Sequence, residues 1–89
     1  MAGYELMLTA SERLLRSGNR LEVFQMIDGR IGVHFQNCEV KDDCFLIGAF
    51  GRGNTFEEAC EDYINEIQGK TLVFNAFNEY EHRKEIILI

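Results

Sequence analysis

Residues 55–68, TFEEACEDYINEIQ, constrain the fold more than any other stretch. Phe56, Ala59, Cys60, Tyr63, Ile64 and Ile67 recur at the i, i+3, i+4, i+7 spacing that lines one face of a helix. Thr55, with Glu58 three residues on, has the capping-box spacing, in which each side chain satisfies the other's backbone N–H. Gly69 closes the segment at the left-handed position that ends many helices. A helix with one apolar stripe has to bury it against another layer, so the rest of the chain must supply that layer.

The remaining sequence reads as follows. Residues 4–17, YELMLTASERLLRS, predict a first helix with Tyr4, Met7, Leu8, Ser11, Leu14 and Leu15 on one face, ended by Gly18-Asn19. Residues 20–27, RLEVFQMI, predict a strand, and Asp28-Gly29 signals a two-residue type I′ hairpin turn. In the return strand, 30–40, Ile31, Val33 and Phe35 alternate with polar or small residues. A two-residue loop pairs Ile27 with Arg30, Met26 with Ile31 and Phe24 with Val33. A third strand is expected over 43–50, a turn at Gly51–Asn54, a fourth strand over 70–76 and a fifth, EIILI, over 85–89. The order α-β-β-β-α-β-β predicts an α+β fold, an antiparallel sheet with two helices packed on one face. Eighty-nine residues with 46% hydrophobic content predict a single domain, 1–89.

Composition narrows the function classes. The net charge is −6 and the nine Lys and Arg are scattered, which argues against direct binding of nucleic acid and fits a basic protein partner. No apolar run approaches the roughly 20 residues of a membrane span, and no secretory leader opens the chain, so a cytoplasmic location is expected. Cys38, Cys44 and Cys60 are an odd number without paired spacing and read as small buried apolar residues.

The chemistry-bearing candidates are few. Gly51-Arg52-Gly53-Asn54 lies between a strand and a helix, where a phosphate loop would sit. It matches neither the dinucleotide pattern nor the P-loop. Glu57 and Glu58 moreover put negative charge at the helix end that a phosphate would need. His34, Cys38, Cys44, Cys60 and His82 lack structural-zinc spacing, so no metal and no cofactor is expected. No nucleophile elbow is present, and the chain reads as a non-enzyme.

What stands out is the other face of the second helix. Glu57, Glu58, Glu61, Asp62 and Glu66 cover it with no Lys or Arg among them, so like charges repel slightly. Two readings apply: a solvated face, or a contact surface for a basic partner that Asp42 and Asp43 extend. The apolar segment Glu85–Ile89 either pairs within the sheet or offers an edge to a second copy.

Three resemblances add to this. The α-β-β-β-α order over residues 4–68 resembles a double-stranded-RNA-binding domain, but the second helix has none of that family's lysines, so the RNA function does not carry over. GNTFEEACEDYINEI is similar to the G-[DN]-T-x-E-E-A segment of HicB-type antitoxins, and residues 20–76 fit their β-β-β-α-β order. That resemblance implies an antitoxin neutralising a small basic toxin. As a whole, through GRGNTFEEACEDYINEIQGKTLVFNA, the chain resembles small acidic accessory proteins of bacteriophages and prophages of Gram-positive bacteria. This likeness implies an inhibitor of host defence, of the anti-CRISPR kind, acting in the host cytoplasm on a basic nucleic-acid-binding surface. A third class, a small-molecule (nucleotide) binder or sponge, would place a pocket near Gly51–Asn54 or between subunits.

Overall fold

Residues 8–78 and 80–86 are described by the structure, a computed structural model. The elements are α1 (Ala10–Arg16), β1 (Leu21–Gln25), β2 (Ile31–Phe35), β3 (Cys38–Asp42), β4 (Phe45–Ile47), β5 (Gly51–Gly53), α2 (Phe56–Ile67), β6 (Thr71–Phe74) and β7 (Arg83–Ile86). The fold is α+β, as the sequence predicts. Its strands form two antiparallel sheets rather than one, in the orders β1-β2-β5 and β4-β3-β6-β7.

The division comes from single left-handed residues. Asn37, at φ +53°, breaks the expected strand 30–40 into β2 and β3. Gln36 N donates to Arg20 O as the last rung of the first ladder, and Asn75 N donates to Asn37 O as the first rung of the second. Asp43, at φ +58°, opens a two-residue turn that splits the expected strand 43–50. Its first part returns along β3 as β4. The chain then crosses back to the first sheet as β5.

The first hairpin also differs. Met26 N donates to Arg30 O and Gly29 N to Met26 O, so the loop is Ile27-Asp28-Gly29. A type I′ turn needs two consecutive left-handed residues. Here only Gly29, at φ +91°, is left-handed, while the Asp28 carboxylate accepts from Arg30 N at 3.0 Å. The extra loop residue pairs Val23 with Val33 and Phe24 with Gly32. One residue of slip exchanges the faces. Phe24 therefore leaves the core side, lies over Gly32 and meets His34 and Phe50 with ring centroids 5.7 and 5.6 Å apart.

Helix α1 is shorter than the expected 4–17. Leu8 and Thr9 precede it and residues 4–7 lie outside the described residues. Thr9 is its N-cap and forms a full capping box with Glu12. Gly18 and Gly69 are both left-handed just past the two helices, as expected.

The core joins both sheets through α2. Phe35 packs edge-on against Tyr63 at 5.5 Å and beside Phe74 at 5.9 Å, so the end of β2, the middle of α2 and the end of β6 meet at one ring. Leu14, Val33, Ala59, Cys60, Ile67 and Leu72 complete the fully buried set around it. Each Leu, Val or Ile side chain among them contributes roughly 1.5–3 kcal/mol of burial. Helix α2 packs on β5 and β2, and α1 packs chiefly on α2. Ala10 and Leu14 of α1 enter the same buried core as residues of β2, β3 and β6.

At the C-terminal end, β7 pairs with β6 and is the outer strand of its sheet. The Arg83 guanidinium covers the Phe74 ring at 4.3 Å and bonds to the Asn19 side chain. Residues 87–89 of the expected strand 85–89 lie outside the described residues. Among the described residues no helix is long and apolar enough to cross a membrane.

Candidate functional site

The glycines that precede α2 form a strand, not a turn. A Cβ on Gly53 would stand 2.7 Å from Ala59 N, and one on Gly51 would collide with the Ala59 carbonyl and the Tyr63 backbone. The backbone of β5 thus lies directly on the helix, closer than any side chain permits. This corrects the expected turn at 51–54. It also removes the phosphate cradle, because the N–H groups there have protein acceptors. Arg52 N donates to Asp62 Oδ2 at 2.9 Å, Asn54 N to Glu58 Oε1 at 3.1 Å and Glu58 N to Thr55 Oγ1 at 3.1 Å. Thr55 caps α2 as predicted, but Glu58 reaches back to Asn54 rather than to Thr55.

The same bonds sort the five predicted acids. Across the helix surface, at 3.6 residues per turn, they run Glu57, Glu61, Glu58, Asp62, Glu66. Glu57, half-buried at one margin, accepts from Ser11 N and Ser11 Oγ and fastens α1 to α2. Asp62 fastens the β5 backbone at Arg52, and Glu58 fastens the next residue after the strand, Asn54. Glu61 and Glu66 are exposed, with no hydrogen bond or ion pair among the described residues. The face predicted from sequence is therefore contiguous, but three of its five carboxylates also have a structural task. Glu66 lies in the last turn, where the helix dipole disfavours an anion and where no base is present.

At the Glu66 margin the surface folds into a cleft of about 500 Å³ between β3, the segment from Ile47 to Arg52, and the end of α2. Val40, Ile47 and Phe50 supply apolar wall, and Lys41, Arg52 and Lys70 bring cations. Sequence reasoning missed this convergence, since it joins positions as far apart as 41 and 70. Asp42 lines the cleft too, together with Asp62 and Glu66 of the acidic face.

β4 is the other unanticipated surface. It is the outer strand opposite β7, and Phe45, Leu46 and Ile47 are all exposed, Phe45 by 68%.

Of the cysteines, Cys38 and Cys60 are buried as expected, whereas Cys44 is exposed on the β3–β4 turn. Burial pushes the Cys60 thiol up to about 11 and the Cys38 thiol to about 12, so both are protonated and inert near neutrality. His34 lies on the outer face of β2, 3.7 Å from Glu22, and does not join Cys38 beyond the Asn37 bend. Among the described residues no group of three His, Cys, Asp or Glu side chains is placed to hold a metal ion. No protein-family model, no curated protein and no solved structure matches the chain.

Proposed function

We propose that the chain is a non-enzymatic acidic interaction module that occupies a basic, nucleic-acid-binding surface on a host defence protein, as an anti-CRISPR-like inhibitor encoded by a phage would. The outward face of α2 supports this reading. Glu61 and Glu66 stand exposed without partners among the described residues, Glu58 lies between them, and the helix carries no Lys or Arg. Glu66 also opposes the helix dipole, so its charge does nothing for the helix that bears it. A row of carboxylates on a rigid helix competes with phosphates for a basic groove and steers association at a distance.

The reading is tested by immobilising the chain, capturing protein from a bacterial host lysate and challenging the captured protein with duplex DNA. Release by DNA is the expected result. Capture that DNA leaves intact refutes competition for a nucleic-acid surface.

A further inference from the structure

The cleft beside Glu66 has features that the acidic-face reading does not use. Its volume of about 500 Å³ is that of a small-molecule site. Lys41, Arg52 and Lys70, three of the nine Lys and Arg of a chain with net charge −6, line this one cleft together with Asp42, Asp62 and Glu66, of which Asp62 already accepts from Arg52 N. None of the three cations forms an ion pair among the described residues; the pairs there are Arg30–Asp28, His34–Glu22 and Arg83–Glu85. Such unpaired cations facing a concavity are available to an anion.

The remaining wall specifies more than an anion. The Phe50 ring is held edge-on by Phe24 at 5.6 Å and has the Arg52 guanidinium 5.7 Å from its centroid. It is a flat, oriented apolar plate that remains 39% exposed. Stacking on an aromatic ring flanked by a guanidinium suits a nucleobase. The Glu66 carboxylate, without a partner among the described residues, is an acceptor for ring N–H donors.

We propose that this cleft binds a mononucleotide, with the phosphate on Lys41 and Lys70 and the base stacked on Phe50. The ligand is a single nucleotide rather than a strand, because Asp62 and Glu66 in the lining and the further acids along α2 leave room for one phosphate on the lysines and repel the further phosphates of a polymer. The two readings share Glu66, but the phosphate contacts assigned here, Lys41 and Lys70, lie outside α2.

The test is a titration of the isotope-labelled full chain, followed by amide NMR, with AMP, GMP, CMP and UMP, with adenosine, with inorganic phosphate and with a single-stranded dodecamer. The expected result is a saturable shift of amides at 40–42, 47–52 and 66–70 by at least one mononucleotide, and weaker binding of adenosine, phosphate and the dodecamer. Lys41→Glu with Lys70→Glu is expected to lower affinity at least about tenfold, from the loss of charge-assisted bonds. Both positions are exposed, so the melting temperature should not move. Phe50→Ala should weaken the mononucleotide and leave inorganic phosphate unchanged. No saturable shift at millimolar mononucleotide overturns the proposal, as does retained affinity in the lysine double variant. A dodecamer that binds more tightly than the mononucleotide also overturns it.

Discussion

The Tyr63 hydroxyl accepts the backbone N–H of Phe35 at 3.0 Å, 28 positions away in the chain. β1 pairs with Phe35 on one side, but on the other side β5 reaches only to Gly51, opposite Val33, and the helix side chain takes the place of the missing rung. The bond ties α2 to β2 beside the bend that separates the two sheets. Burial pushes the Tyr63 phenol above its usual range, so it remains a neutral hydroxyl. Tyr63→Phe preserves the ring contact with Phe35 and strands the buried N–H. The expected loss is about 1–3 kcal/mol in urea unfolding. An unchanged midpoint would mean that water replaces the hydroxyl.

Gly51→Ala is expected to destabilise by ~3 kcal/mol or prevent folding, because the new methyl meets backbone atoms of α2 that cannot move independently. Gly48→Ala is the matched control: a Cβ there meets nothing within 4 Å. Its effect should be within about 0.5 kcal/mol of zero or slightly stabilising. Equal effects of the two substitutions on the thermal midpoint would contradict the close packing of β5 on α2.

Much of this architecture is legible in the sequence, and the misses have identifiable causes. The apolar period of Phe56 to Ile67 marks α2 because five of its six residues are buried and the sixth is packed against the core. β5 is not legible, because Gly-Arg-Gly has no alternation and its place depends on a helix that follows it. The bend at Asn37 did leave a trace. The apolar alternation runs on odd positions through Phe35 and on even positions from Cys38, and a strand cannot change phase without a break. The Thr9–Glu12 capping box was equally readable, and the helical period of the residues before it obscured it. Of the acidic face, the sequence shows the charges but not their bonds. Whether Glu57, Glu58 and Asp62 hold backbone N–H groups depends on where α1 and β5 dock.

The α1 capping box carries a pH signature. Hydrogen bonds from the Thr9 side chain, then from its backbone, hold the Glu12 carboxyl below its ordinary value of 4.5. Its folded pKa is lowered, so the stabilisation is present above 4.5 and is lost as pH falls through the folded value. Thr9→Ala should cost about 1 kcal/mol at neutral pH. That difference should shrink in acid, as read from urea midpoints at a series of pH values. A gap that stays constant into acid would remove Glu12 from the cap.

Thiol chemistry separates the three cysteines. A thiol reagent at neutral pH should modify one cysteine rapidly in the native protein, Cys44, and three after denaturation. Cys44→Ser should abolish the fast reaction. Rapid modification of Cys38 or Cys60 would show that the α2–β3 core opens readily.

Glu61→Lys with Glu66→Lys tests most directly whether the outward carboxylates of α2 bind a basic partner. Neither carboxylate has a partner among the described residues. The introduced lysines stand four residues after Glu57 and Asp62, the favourable orientation for helix ion pairs. The double variant should therefore melt no lower than the parent. In the lysate capture it should retain none of the DNA-releasable protein, while the parent's capture weakens as salt is raised. Capture of the same protein by the variant and the parent alike would contradict the account.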